Sequence, residues 1–201
     1  MAADVTRKEL LEMEETPYED VRPKLKDGDL FFCSGEYFVS RAIRRFSESP
    51  WSHVGLILRI RELDRVLLLE SVEDAGVRFA PLSKYLDDYE KGRPYRGALV
   101  VARFEGLAAD KIQPLAQFGT DALTRPYDKD EIAKIVVRIA LRLGRKERDR
   151  EYICSELVYE CFAHAGYEFA YDPKGFISPQ DVWQDPRVRF LYRLANPGRS
   201  G

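Results

Sequence analysis

Tyr152-Ile153-Cys154-Ser155-Glu156-Leu157-Val158 is the stretch around which the rest of the chain is organised. A cysteine is followed at once by an amphipathic helix. Apolar residues recur at Ile153, Leu157, Val158, Cys161, Phe162 and Ala165, the spacing of one helical stripe. A thiol near a helix N-terminus faces unpaired backbone N–H groups and the positive end of the macrodipole, and both favour thiolate. The same N–H groups suit the oxyanion of an acyl-transfer intermediate. A buried structural cysteine would read the same way on this segment alone, so both readings stand until a base is found.

A nucleophilic cysteine needs a base, usually histidine, and the chain holds 2. His164 lies on the same predicted helix, roughly 15 Å along the axis, and cannot reach back; it reads as a helix-end or surface histidine. His53 remains. It opens a predicted strand over residues 54–60 with His53, Gly55, Ile57 and Arg59 on one face and Val54, Leu56, Leu58 and Ile60 on the other. The turn Arg61-Glu62-Leu63-Asp64 returns the chain through residues 65–71, the clearest hairpin in the sequence. If Ile60 pairs with Arg65, Gly55 lies opposite Glu70 and Ile57 opposite Leu68. Glu70 is then the diagonal neighbour of His53, about 7 Å away between backbones, within reach of a Glu side chain. Gly55 leaves that approach open. Glu70 is also the lone charge ending the apolar run Val66-Leu67-Leu68-Leu69, and orienting an imidazole would give it a purpose. A one-residue slip would turn Glu70 to the other face, and a strand-end glutamate reaching water is the competing reading.

Composition narrows the function classes. A chain of 201 residues with 45% hydrophobic and 12% aromatic content can bury a core as one domain with a short appendage. Lys+Arg 32 against Asp+Glu 34 gives no reason to expect nucleic acid or an anionic membrane as partner, and the basic positions between 138 and 150 read as a solvated helix face. The charged first 15 residues do not resemble a signal peptide. No apolar run approaches the ~20 residues of a membrane span. The 3 cysteines are odd in number with no CxxC pair. Cys154 and Cys161 stand about 10 Å apart along one helix, too far to bridge. A reducing cytoplasm is therefore expected. Neither zinc-like ligand spacing nor a phosphate-cradling glycine loop is present, so no metal and no cofactor are expected.

In chain order, residues 6–15 read as a short amphipathic helix, followed after Pro17 by an extended linker. Asp27-Gly28-Asp29 is a turn into a strand at 30–33, and a helix is expected at 36–46. After the hairpin come a strand at 77–80, a helix near 82–89 opened by Pro81, and a strand at 97–104. Helices follow at 107–118, stopped by Gly119, and at 128–143, with capping-box spacing at Asp128 and Glu131 and Gly144 beyond. A basic connector, 145–150, leads to the cysteine helix, and Ser178-Pro179 starts a last short one. Strands early and helices late predict an α+β fold.

The ordered set Asp27-Gly28-Asp29-Leu30-Phe31-Phe32, Trp51-Ser52-His53-Val54-Gly55, Leu69-Glu70-Ser71, Gly76-Val77, Arg125-Pro126-Tyr127-Asp128, Cys154-Ser155-Glu156-Leu157-Val158 and Ser178-Pro179 resembles the circularly permuted papain-like cysteine hydrolases of the NlpC superfamily. The similarity is to the YiiX/YaeF-like branch, related to lecithin:retinol acyltransferase, and covers residues 27 to about 182. As in that branch, the histidine strand precedes the cysteine helix. The resemblance implies a small antiparallel, barrel-like sheet with the nucleophile helix packed against it, over a hydrolase domain at 27–201 preceded by a helix and linker at 1–26. It implies Cys154 as nucleophile, His53 as base and Glu70 as its orienting group. Tyr127, Ser155, Trp51 and Ser52 would line the oxyanion or substrate site. Asp149 is the best N-cap by sequence and would bury Cys154 past the first turn, whereas the family places its cysteine at the helix start, and that placement is preferred. The implied activity is cleavage of amide bonds in small peptide-like, amino-acid-containing substrates, including cell-wall-derived ones. The alternatives are lipid acyl transfer or thioester hydrolysis through the same cysteine, and a non-catalytic ligand-binding module.

Overall fold

The computed structural model describes residues 7–35, 49–126, 153–170 and 177–195. The helices expected at 36–46 and 128–143, the connector at 145–150, Asp149 and Tyr127 lie outside the described residues. The hairpin that anchored the sequence reading is present in the predicted register: Ile60 opposite Arg65, Ile57 opposite Leu68 and Leu56 opposite Leu69. Its strands are β3 (His53–Ile60) and β4 (Arg65–Val72). The turn between them closes through a 3₁₀ segment and a left-handed Asp64 (φ 48°).

Around this hairpin, β1 (Glu15–Thr16), β2 (Leu30–Gly35), β5 (Gly76–Pro81), β6 (Gly97–Phe104) and β7 (Val188–Leu194) complete a seven-stranded sheet in the order β1-β7-β6-β2-β3-β4-β5. Neighbours are antiparallel except β1 and β7, which run parallel. The described α-helices are α1 (Arg7–Glu12), α2 (Tyr18–Val21), α3 (Lys84–Asp87), α4 (Ile112–Asp121), α5 (Cys154–His164) and α6 (Pro179–Gln184). The fold is α+β, as expected.

The period-2 alternation of the strands feeds two cores. Phe32, Val54, Leu56, Leu69 and Val100 face Leu157, Val158, Cys161 and Phe162 of α5 and Trp183 of α6. Phe31, Cys33, Ile57, Leu68 and Val101 face the other way, under Val21, Leu25, Leu82 and Tyr85. Every residue of β2 is buried, because it lies mid-sheet with both faces covered.

Several expectations are corrected. The segment after Pro17 is not an extended linker: it forms α2 and a 3₁₀ turn over Arg22–Lys24, and it buries Val21 and Leu25. Gly119 does not stop its helix, since α4 runs on to Asp121. A Cβ on Gly119 would stand 2.1 Å from Leu69 Cδ2 and 3.1 Å from Cys161 Sγ, so this glycine is there for close packing of α4 on β4 and α5. The helix near 82–89 is a single turn, α3. β1 and β7 were not foreseen at all.

Candidate active site

His53 is the first residue of β3, opposite Cys33 on β2. Its approach is fixed from below by Ser52. That hydroxyl donates to the Cys33 carbonyl (3.1 Å) and accepts from the Gly35 N–H (3.0 Å), and the Ser52 N–H donates to the same Cys33 carbonyl (2.9 Å). Glu70, on the same face of the sheet, meets His53 Nε2 at 2.8 Å through Oε2. The diagonal reach across the hairpin is therefore real, and Glu70 is fully buried rather than turned to water. Gly55 has a packing role as well. A Cβ there would meet Leu68 Cδ1 at 2.9 Å and the Leu69 carbonyl oxygen at 3.0 Å, so the glycine permits close packing of β3 on β4.

Two residues that the sequence reading did not single out complete the environment of Glu70. Arg78 on β5 lies directly across from Glu70, and its Nε and Nη2 both approach Oε1 at 2.9 Å. The Tyr85 hydroxyl on α3 donates to Oε2 at 2.5 Å. Arg78 was recoverable: once β4 and β5 pair around the turn at Asp74-Ala75-Gly76, its position follows from the register. Tyr85 carried no comparable signal, because a short helix behind a proline does not announce which way it points.

The thiol comes from the other side. Cys154 is the first residue of α5, with Ile153 in extended conformation as the cap (φ −80°, ψ 162°), so the cysteine sits at the helix start. Intrahelical bonding begins with the Leu157 N–H to the Ile153 carbonyl (3.1 Å), and the Glu156 carboxylate accepts the Ile153 N–H at 3.4 Å. The N–H groups of the first turn have no partner within the helix and point toward its leading end. α5 packs on the opposite face from Glu70, and the two faces meet at the end of β3, where Cys154 comes close enough to His53 to help raise the pKa of the imidazole. With Nε2 taken by Glu70, the ring nitrogen left for the thiol is Nδ1.

Electrostatics follow from this arrangement. Burial disfavours protonated His53, but hydrogen bonds and charge from Cys154 and Glu70 outweigh it and push its pKa up to about 10. Burial raises the proton affinity of Glu70, yet His53, Arg78 and Tyr85 together hold it below the usual carboxylate range. Tyr85 is pushed well up, by burial and then by the Glu70 charge, so it stays a donor. Burial likewise raises Cys33 and Cys161, which remain neutral thiols.

The other expected site residues are placed as follows. The Ser155 hydroxyl is buried and donates to the Ile177 carbonyl (2.7 Å), which ties α5 to the approach of α6. Trp51 is buried against Phe32 (5.2 Å between ring centroids) and Trp183 (4.6 Å). Tyr127 lies outside the described residues. His164 is at the exposed end of α5, with Nδ1 2.9 Å from the Glu160 carbonyl oxygen, as expected of a helix-end histidine. Among the described residues no group of three or more His, Cys, Asp or Glu is arranged to hold a metal ion, and no helix is long and apolar enough to cross a membrane.

A cysteine heading a helix that packs on an antiparallel sheet, facing a histidine carried by that sheet, is the arrangement of papain-like thiol hydrolases, here with the histidine strand first in the chain. The model of the permuted papain-like amidase enzymes, YaeF/YiiX, C92 family, matches residues 24–192, and the chain belongs to that family. Membership places it among cysteine peptidases and amidases. Similar to it is an Escherichia coli (strain K12) protein described as a probable lipoprotein peptidase, YaeF, 28% identical over 196 residues; the match covers 84% of this chain and 66% of that protein's length, just under two thirds. A crystal structure described as the metalloprotein YiiX from Escherichia coli O157:H7 shares the fold with a TM-score of 0.63 at 23% identity, covering 86% of this chain and 98% of that one.

Proposed function

We propose that the protein hydrolyses amide bonds in small peptide-like substrates through Cys154, His53 and Glu70. The observation that carries this reading is the buried Glu70 carboxylate 2.8 Å from His53 Nε2, and the placement of Cys154 at the head of α5, where it acts on the same imidazole, supports it. In the first half-reaction Cys154 Sγ passes its proton to His53 and adds to the substrate carbonyl carbon. The oxyanion is held by N–H groups of the first turn of α5. His53 gives its proton to the departing amine, leaving a thioester on Cys154. Water, deprotonated by His53, then releases the acid and restores the thiol pair. Glu70 keeps the ring in the tautomer and orientation that both transfers require.

The name of the YaeF relative points the same way, toward peptide bonds, and short peptides together with matched ester analogues form the first panel to screen. Cys154→Ala is expected to reduce turnover of any accepted peptide to background, with His53→Ala lowering kcat/KM by about 10²–10⁴-fold. Wild type quenched during turnover should carry the acyl group on the peptide containing Cys154. Undiminished hydrolysis by Cys154→Ala would end this reading.

A further inference from the structure

Glu70 has a side-chain solvent exposure of 0% and carries its charge between two core layers. An ionised carboxylate in such a place survives only if its acceptor sites are met by donors. It has roughly four such sites, and the structure supplies Arg78 Nε, Arg78 Nη2, Tyr85 Oη and His53 Nε2. Their distribution is uneven in an informative way. Both Arg78 contacts fall on Oε1, while His53 and Tyr85 share Oε2. An arginine spanning both oxygens would compete with the imidazole; this one leaves Oε2 to it.

We propose that Arg78 and Tyr85 are positioning residues for the Cys154–His53 pair, together holding Glu70 as an anion with Oε2 aimed at His53 Nε2. The inference rests on the reading of Cys154, His53 and Glu70 given above and extends it by two residues. Each holder is itself held. Arg78 is set opposite Glu70 by the β4–β5 register. The Tyr85 ring stands edge-on to Phe31 at 5.1 Å and packs on Tyr89 at 4.7 Å, and the Tyr85 carbonyl accepts the Tyr95 N–H at 2.8 Å. Edge strand β5 and the single turn of α3 thus converge on one carboxylate.

Among the described residues, the titratable groups around Glu70 are His53 on β3, Arg78 on β5, Tyr85 on α3 and Cys33 on β2. Cys154 on α5 lies beyond the imidazole, and Tyr89 lies beside Arg78 and Tyr85. Arg78 is the one permanent cation in that set. Without it Glu70 takes up a proton at higher pH, and the neutral carboxyl no longer supports the imidazolium that faces Cys154.

The test is alkylation of Cys154 by iodoacetamide from about pH 4 to about pH 10, resolved by peptide mass spectrometry. It compares wild type, Glu70→Gln, Arg78→Met, Arg78→Lys and Tyr85→Phe. Thermal melts of each variant identify any that fail to fold. Arg78→Met should move the acid limb of the reactivity profile up by about one pH unit or more, Tyr85→Phe by less in the same direction, and Arg78→Lys should recover most of the shift. A side chain that only packs would leave both limbs in place. If Glu70→Gln shifts the profile while Arg78→Met and Tyr85→Phe track wild type, the inference is overturned and the Glu70 reading survives. If Glu70→Gln itself tracks wild type, the failure lies with Glu70. Should Arg78→Met not fold, Tyr85→Phe decides: an unshifted profile overturns the proposal.

Discussion

Glu70 concentrates the residue-scale physics of this protein. A carboxylate without solvent access is tolerable only because four donor atoms reach it, and removing it strands those donors. Glu70→Ala is expected to cost about 2–3 kcal/mol, at the low end for a broken buried pair because Arg78 keeps 38% exposure and can rehydrate; chemical denaturation measures it. The two partners shift in opposite directions, which fixes the pH dependence. Glu70 is held below its ordinary range, so its contribution to stability is present above the unfolded carboxylate pKa and fades as pH falls through the lowered folded value. His53 is raised from 6.5 to about 10, so its contribution is complete below pH 6.5 and is lost as pH climbs toward about 10. The difference in Tm between wild type and His53→Gln should therefore shrink steadily across that alkaline interval.

The hairpin of β3 and β4 was legible because three local signals agreed: strict alternation, a four-residue turn, and a single charge at the end of an apolar run. That agreement placed Glu70 beside His53 without any tertiary information. β7 was illegible for the converse reason. Its pairing with β6 shifts register between Val101 and Ala102, so Val101 faces Tyr192 while Ala102 faces Phe190. The binary pattern slips with it: Arg193 is buried and Phe190 is 38% exposed. In the candidate site, the pairing of Glu70 with His53 was readable from the hairpin register, while Tyr85 depended on the orientation of a single helical turn. A second local device guards the edge of the sheet. Gly76 opens β5 at φ +65°, and a Cβ there would stand 2.1 Å from the Arg125 carbonyl oxygen. That carbonyl accepts the Val77 N–H (2.9 Å), and Val77 in turn accepts the Thr124 N–H (3.0 Å). Gly76→Ala should lose at least about 1–2 kcal/mol from the left-handed backbone alone, with further loss from displacing residues 124–126. Amide exchange at Val77 should quicken selectively.

At the scale of the whole molecule, a long-range tie among the described residues joins residues 13–16 to β7 and Ala195. Arg193 pairs with the Glu15 carboxylate and donates to the Met13 carbonyl (2.7 Å), and the Ala195 N–H donates to the Thr16 carbonyl (2.9 Å). Glu15 keeps 35% exposure, so the ion pair is partly screened. Arg193→Met should cost about 1–2 kcal/mol, a drop of roughly 2–8 °C in Tm at this chain length, with limited proteolysis appearing first near residues 13–17. The same tie makes chain order dispensable. Glu15 lies beside Arg193 and Thr16 beside Leu194, and because these strands run parallel a crossover linker of about a dozen residues would carry the chain from the end of β7 back to the start of β1. A ring closed there and reopened between Pro126 and Ile153 would be read from its new beginning as cysteine helix first and histidine strand second. It would return the polypeptide to the order of papain while every strand kept the neighbour it has now.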